Sequence, residues 1–232
     1  MAFEFEKGEV LLIDKPLEWT SFDVVRKLKF AIRKKKLKIG HAGTLDPLAT
    51  GLLIVCTGKC TKQIEQIQAQ QKEYIGTFTI GKTTPSFDLE TDFDSESPYN
   101  HLSNDEIKEA RLSLTGEISQ TPPVFSAVKV NGKRAYESAR KGESVKLKPR
   151  TVTVHTFEIT SIDLPIVSFK ITCSKGTYIR SIAHDFGKNL GCGAHLSSLR
   201  RTKIGEFDVD NAYQLDNLVS KLKELSDFEN HS

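Results

Sequence analysis

The sequence has 232 residues, of which 38% are hydrophobic, so it is long enough to bury a substantial core in one large domain. No segment reaches the roughly 18 apolar residues of a membrane span, and the N-terminus lacks a signal-peptide pattern, so we expect a soluble, cytoplasmic protein. The net charge of +3 is unevenly distributed: residues 121–150 carry eight lysines and arginines against two glutamates, and residues 88–117 carry nine acidic residues against two basic ones.

The first part of the chain predicts interleaved strands and helices. Thr20 or Ser21 can cap a helix whose apolar positions include Phe22 and Leu28 at a helical period. From Tyr74, apolar alternation predicts a strand with one buried face. The other elements predicted here are a buried strand over residues 10–13, a central strand over 51–56 and a helix over 59–70.

The later elements are marked by caps and turns. Ser103 and Glu106 have the spacing of a capping box, which predicts a helix that ends before Gly116. Asn131-Gly132 suits the type I′ turn of a hairpin. The remaining predicted elements are a short helix over 136–141, paired strands over 151–162 and 166–173, a helix over 181–190, and a last strand over 204–207 before a polar tail.

Hairpins outnumber strand–helix–strand units in this pattern. The sequence therefore predicts an α+β fold with a mixed, mainly antiparallel central sheet flanked by helices. The basic residues 121–150 form an excursion between core strands, and residues 33–38 (RKKKLK) form a second basic cluster. Two such clusters favour a polyanionic partner such as RNA over a merely solvated face.

Two other kinds of site are disfavoured. The four cysteines contain no Cys-x-x-Cys pair, so we expect them to be reduced and largely buried, without a disulfide framework or a zinc site. Gly58-Lys59 does not make a phosphate-binding P-loop, because Gly51 is too far back and Cys60 replaces the hydroxyl residue.

The run GHAGTLDPLATG, residues 40–51, is the strongest candidate for a site. Its glycines permit turns and close backbone approach, while Pro47 fixes its own φ and keeps Asp46 out of the α region. By itself, an aspartate before proline is more often a turn former than a catalyst. The rest of the chain favours the catalytic interpretation.

This run resembles the nucleophile motif of the TruB-type tRNA pseudouridine-55 synthases. Four further segments, in the family's order, resemble its other motifs: GEVLLIDKP (8–16), KEY (72–74), CSKGTYIR (173–180), and GAHL (193–196) with LRRT (199–202). The resemblance covers nearly all of the chain. It implies a pseudouridine synthase fold in which residues 121–150 form a thumb that grips RNA, and a reaction that uses one aspartate and no cofactor or metal.

The resemblance also implies catalytic roles. It assigns the essential carboxylate to Asp46, whose ionised form suits the breaking and re-forming of a glycosidic bond. It assigns to Arg180 the cation that offsets burial of this carboxylate. Tyr178 is assigned to the pocket wall, with its hydroxyl near the reacting base and a role in proton transfer.

Further residues are implied to bind RNA. Tyr74 corresponds to the residue that stacks on the flipped base, although its pattern alone also suits the core. His41 resembles the histidine that fills the gap left by that nucleotide, and a general base is its alternative. The other assignments are Leu199 to the pocket wall, Lys15 to support of the site, Lys129, Lys133 and Arg134 to the RNA backbone, and Arg200 and Arg201 to the RNA backbone or the fold.

Two departures from the family pattern are visible. Ala42 replaces the threonine that commonly follows the motif's histidine, and residues 81–88 (GKTTPSFD) depart from the loop pattern that follows the stacking strand. We expect one catalytic domain over residues 1–232, with a C-terminal RNA-binding (PUA) domain absent or vestigial after about residue 205. The expected activity is isomerisation of uridine 55 in the tRNA T-arm by a monomer. The alternatives are another RNA substrate and a non-catalytic RNA-binding or RNA-folding module.

Overall fold

The computed structural model describes residues 3–34, 36–126, 129–130, 133–135 and 147–229. Within these ranges the helices are α1 (Ser21–Ile32), α2 (Ile64–Ala69), α3 (Asn104–Glu109), α4 (Ile179–Asn189) and α5 (Leu215–Glu229). The strands are β1 (Val10–Lys15), β2 (Ile39–Ala42), β3 (Ala49–Thr57), β4 (Lys72–Ile80), β5 (Lys82–Thr83), β6 (Ser95–Glu96), β7 (Gly116–Gln120), β8 (Lys129–Val130), β9 (Lys133–Arg134), β10 (Arg150–Asp163), β11 (Ile166–Cys173), β12 (Ala194–Ile204), β13 (Phe207–Asp208) and β14 (Tyr213–Gln214).

The chain forms two compact units. Unit 1 comprises residues 1–74 and 200–232, and unit 2 comprises residues 75–199. Strands β4 and β12 contribute residues to both units. Strands β1 and β14 pair in parallel, whereas β3 is antiparallel to both β1 and β2, and β10 is antiparallel to both β11 and β7. This is the mixed, mainly antiparallel α+β arrangement that the sequence predicts.

Unit 1 is built on strand β3, which is buried on both faces. Leu53 and Val55 face a cluster that includes α1 and α5, while Leu52 and Ile54 face a second cluster on the opposite side. A strand covered on both sides needs apolar residues at nearly every position, which explains the run LLIVC. Strand β3 is therefore a fixed platform for the segment that enters it.

Unit 2 packs around phenylalanine rings. Phe78 of β4 stacks on Phe169 of β11 with ring centroids 4.2 Å apart, and Phe186 of α4 lies 5.4 Å from Phe78. Phe157 of β10 meets Phe78 edge-on at 6.1 Å. The Phe186 contact fixes helix α4 on the strands, while the two pairs between strands adopt the stacked and edge-to-face geometries that aromatic rings prefer.

Both predicted helix caps are confirmed. Thr20 caps α1 and Ser103 caps α3, each in a reciprocal capping box with the residue three positions later. Of the apolar positions predicted for α1, Leu28 and Val25 are buried, whereas Phe22 is 67% exposed. Val24, which was not among those positions, is buried as well.

Other elements differ from their predicted bounds. Residues 58–63 form a 3₁₀ turn before the short helix α2, and a second 3₁₀ turn over Leu112–Leu114 follows α3. The hairpin of β8 and β9 is confirmed, while its turn residues and the helix predicted over 136–141 lie outside the described residues. The sequence did not predict most of β12. The prediction of a polar tail after the last strand is wrong, because helix α5 forms there and buries Leu218 and Leu222.

Candidate active site

Hydrogen bonds to its carbonyl oxygens hold the Asp46 loop, residues 43–47, in place within unit 1. Arg201 of β12 donates from one guanidinium nitrogen to the Gly43 carbonyl at 3.1 Å and from a second to the Thr44 carbonyl at 3.4 Å. Its Nε donates to the carbonyl of Leu52 in β3 at 2.8 Å. A single arginine therefore joins the start of the loop to the central strand.

The rest of the loop is held in the same way. Ser21, the first residue of α1, accepts from the amide of Leu45 at 2.8 Å and donates to its carbonyl at 3.1 Å. The Asp46 carbonyl accepts from the Ala49 amide at 3.1 Å. The Pro47 carbonyl accepts from a backbone amide at 2.8 Å. Every carbonyl from residue 43 to 47 thus has a partner, so the half-buried Asp46 is presented by a fixed backbone.

After the Asp46 loop, the chain enters β3 at a point where strand β12 passes close to it, and this approach depends on Gly51. Its φ is +98°, and a Cβ at this position would lie 2.3 Å from the Arg201 carbonyl oxygen. Only glycine accepts both the left-handed conformation and this contact. Gly51 therefore lets the backbone that carries Arg201 pass beside β3.

Lys15 is fully buried at the end of β1. Its ammonium donates to the carbonyls of Pro16 at 2.8 Å, Trp19 at 2.6 Å and Pro47 at 3.3 Å. Burial lowers the pKa of Lys15 to about 8, with Arg201 adding to this effect and the Asp46 carboxylate opposing it. The structure therefore brings the Lys15 ammonium against the Asp46 loop, through the Pro47 carbonyl.

His41 is partly buried in β2, five residues before Asp46. Burial, followed by the positive charge of Arg201, lowers the pKa of its imidazole, and a hydrogen bond with the Gly43 backbone opposes this. The ring is thus held in its neutral form near neutral pH. A neutral ring can contact a nucleotide without the cost of desolvating a charge.

Arg200 and Arg201 are neighbours in β12, but they differ in burial and in their partners. Arg200 makes a bidentate pair with Asp14 of β1, at 2.8 and 2.9 Å, and its side chain is 35% exposed. Burial raises the pKa of Asp14, but hydrogen bonds from Arg200 and Gln214 outweigh burial and lower it. Arg201 is 1% exposed and donates to three backbone carbonyls, which favours the fold over the RNA backbone among its two predicted roles.

Tyr178 lies in unit 2 at the N-cap of α4, where its backbone is clamped. Its amide donates to Oε1 of Gln120 at 2.8 Å, and Nε2 of Gln120 donates to its carbonyl at 3.1 Å. The Arg150 guanidinium lies 4.7 Å from the Tyr178 ring centroid and also donates to the Gly176 carbonyl. Buried Gln120, which the sequence reading missed, therefore fixes the tyrosine.

Arg180 lies in the first turn of α4 and is 4% exposed. Its guanidinium is 3.4 Å from Oδ2 of Asp88 and 3.5 Å from the Ser86 carbonyl. Thr84 and Ser86 in turn donate hydroxyl hydrogen bonds to the Asp88 carbonyl. The loop that departs from the family pattern thus supplies a buried carboxylate beside Arg180, which sequence reasoning also missed.

The other predicted residues are placed as follows. Tyr74 of β4 is buried, and Leu199 of β12 is partly buried. The residues Lys129, Lys133 and Arg134 lie in the β8–β9 hairpin. Unit 1 therefore holds Lys15, His41, Asp46, Tyr74, Arg200 and Arg201, and unit 2 holds Tyr178, Arg180 and Leu199.

The described part of the chain lacks two kinds of structural feature. It contains no group of three or more His, Cys, Asp or Glu side chains arranged to hold a metal ion. Its helices include none with the length and apolar character needed to cross a membrane.

Comparison with known proteins identifies similar sequences and folds. Residues 27–179 match the N-terminal domain model of the TruB family of pseudouridylate synthases, and residues 180–229 match a C-terminal domain model of tRNA pseudouridylate synthase B. The chain is 57% identical to tRNA pseudouridine synthase B of Flavobacterium johnsoniae, over 91% of this chain and 95% of the relative. It is 53% identical to the Parabacteroides distasonis protein of that name, over 89% and 90%.

Solved structures of Cbf5 share the fold. Cbf5 in a Cbf5–Nop10–Gar1 complex is similar with a TM-score of 0.70 and 30% identity, over 93% of this chain. An archaeal Nop10–Cbf5 complex gives 0.69 and 28%, over 94% of this chain. The present chain spans only 54% of each of these solved chains.

Proposed function

Because the chain belongs to the TruB family of pseudouridylate synthases and isomerises uridine in tRNA to pseudouridine, we propose that its target is uridine 55 in the T-loop. The observation that supports this most directly is the Asp46 loop. All five of its carbonyls are bonded, so the aspartate of the family motif sits on a preorganised backbone. Preorganisation of this kind is what positions a catalytic carboxylate against a bound nucleotide.

The reaction exchanges one bond of the sugar for another. The bond from C1′ to N1 breaks, the uracil turns while it stays bound, and a bond from C1′ to C5 forms. N1 gains a proton and C5 loses one, so atoms balance without a co-reactant. In this proposal Asp46 acts on the nucleoside, since a carboxylate can stabilise or attack an anomeric carbon or remove a nearby proton.

The remaining site residues receive positioning and binding roles. Arg180 is the cation assigned to Asp46, and its burial beside Asp88 limits its motion. Tyr178 is assigned to the pocket wall and to a role in proton transfer. The two hydrogen bonds between Gln120 and the Tyr178 backbone support a fixed position of this residue. Tyr74 stacks on the flipped base, which is the sequence-tolerant way of holding an extruded base.

Other residues complete the RNA contacts. His41 fills the space that the flipped nucleotide leaves, and its neutral imidazole suits this role better than that of a charged group. Leu199 forms a pocket wall and Lys15 supports the loop. The proposed RNA-backbone residues are Lys129, Lys133 and Arg134 of the hairpin, with Arg200.

The proposed organisation is one catalytic domain over residues 1–232 with residues 121–150 as an RNA-gripping insertion. In this proposal the protein acts on the T-arm of tRNA as a monomer. A tRNA substrate also supports action in the cytoplasm.

The test is tritium release from C5-labelled uridine in an unmodified tRNA transcript. Wild-type protein should release tritium, and Asp46→Asn should release none while its affinity for tRNA stays within a few-fold. A transcript with cytidine at position 55 should give no release. Release from that transcript would refute position 55, and turnover by Asp46→Asn would remove Asp46 as the essential group.

A further inference from the structure

Helix α1 has an outer face that the core does not use. Its apolar residues Val24, Val25 and Leu28 are buried, yet Phe22 is 67% exposed and Phe30 is 76% exposed. Among the Phe, Tyr and Trp side chains whose exposure the structure describes, these two are the most exposed. Exposing two large aromatic rings to water on one helix is unfavourable, and a binding surface at these rings would explain it.

Two cations lie between the rings. At about 100° per residue, Phe22, Arg26, Lys29 and Phe30 fall within an arc of about 100° on the helix. Arg26 and Lys29 are both exposed. The Arg26 side chain is 72% exposed even though it pairs with Asp23 at 2.9 Å. These four residues, here named the α1 face, thus combine aromatic rings with positive charge.

The α1 face starts at the Asp46 loop. Ser21 makes both of its hydrogen bonds to Leu45, next to Asp46, and Phe22 is the following residue. Phe30 lies eight residues further along the helix, about 12 Å away at the helical rise. Exposed lysines at positions 34, 36 and 38 continue the positive charge beyond the helix.

We propose that the α1 face binds the stretch of tRNA next to the target uridine, with its rings stacked on unpaired bases and its cations against phosphates. This deepens the proposed function and rests on it. Aromatic rings stack on any base, and Lys and Arg attract the backbone, so the combination is typical of single-stranded nucleic acid binding. The positive charge disfavours a second copy of the same face as the partner.

The test is binding of an unmodified tRNA transcript at several salt concentrations. Phe22→Ser/Phe30→Ser should weaken affinity about fivefold or more for each stacked ring, with the salt dependence unchanged. Arg26→Ala/Lys29→Ala should make the slope of log affinity against log salt shallower by about 1.5. All four side chains are exposed, so both double variants should keep the thermal stability of the wild type.

Control variants remove comparable exposed side chains elsewhere on the surface. Lys7→Ala/Lys108→Ala deletes two exposed lysines that sit in surface ion pairs, and Leu112→Ser deletes an apolar side chain that is 59% exposed. These variants should bind tRNA as the wild type does. Both α1 variants behaving like these controls would overturn the proposal.

A second measurement separates a protein contact from an RNA contact. If sedimentation shows that the wild type self-associates, and that Phe22→Ser/Phe30→Ser is monomeric with unchanged tRNA affinity, the face is an interface between copies and the proposal fails. Binding does not require turnover. Failure of the position-55 proposal would therefore appear in the tritium assay and leave the α1 binding result intact.

Discussion

Replacement of Arg201 by methionine tests whether this arginine anchors the Asp46 loop or contacts RNA. Met keeps most of the apolar volume and removes the three donors to the carbonyls of Gly43, Thr44 and Leu52. The bonds at 2.8 and 3.1 Å are the strong ones, and a hydrogen bond from a charged donor contributes about 1.5–3 kcal/mol. The lost desolvation cost of the buried charge offsets part of this.

We therefore expect Arg201→Met to lower the free energy of unfolding by about 3 kcal/mol, a large share of the roughly 5–15 kcal/mol of a typical domain. At about 2–4 °C per kcal/mol for a chain of this size, Tm should fall by about 6–12 °C. Because the loop that carries Asp46 loses its anchors, kcat should fall by about tenfold or more. The affinity for tRNA and its salt dependence should not change.

The neighbouring arginine supplies the control. Arg200→Met breaks a partly buried pair with Asp14 at the surface, so its stability loss should be about 1 kcal/mol, smaller than that of Arg201→Met. Thermal denaturation and salt-dependent tRNA binding of both variants measure the difference. The reasoning is refuted if Arg201→Met melts like Arg200→Met and its salt slope becomes shallower by about 0.7–0.9, which is the change expected for one lost phosphate contact.

Two further predictions follow from buried groups. Gln120→Leu leaves the backbone amide and carbonyl of Tyr178 without their partner, so the free energy of unfolding measured by urea denaturation should fall by about 2–4 kcal/mol. The variant should also have a lower kcat and an unchanged affinity for tRNA. An unchanged kcat would mean that Gln120 supports only the fold. Burial lowers the pKa of Lys15 to about 8, below its value in the unfolded chain. Between about pH 8 and 10.5 the unfolded state therefore binds more protons than the folded state. In this range the free energy of unfolding of the wild type should rise relative to that of Lys15→Met, by up to about 1.4 kcal/mol per pH unit. Parallel stability curves for the two proteins would contradict this shift.

Local sequence signals predicted the elements that local interactions stabilise. The capping boxes at Thr20 and Ser103 were readable because their partners lie three residues away. The alternation in β11 was readable because one face of that strand is buried. The Asp46 run was recognisable from its glycines and Pro47 together with the family's other motifs.

Long-range interactions account for what the sequence did not reveal. Arginine is almost never fully buried unless it is paired, and the partners of Arg201 lie about 150 residues earlier in the chain. Asp88 belongs to an acidic stretch that resembles a solvated surface, and only the fold brings it to Arg180. Helix α5, in contrast, had a signal: Leu215, Leu218 and Leu222 recur at helical spacing.

The discontinuous make-up of unit 1 has a consequence for biosynthesis. Asp46 is translated early, but Arg201, strand β14 and helix α5 of the same unit emerge from the ribosome only after residues 75–199. A nascent chain that stops before residue 200 therefore carries the proposed catalytic aspartate without the arginine that anchors its loop. We expect catalytic competence to arise late in translation, so that incomplete chains do not act on tRNA.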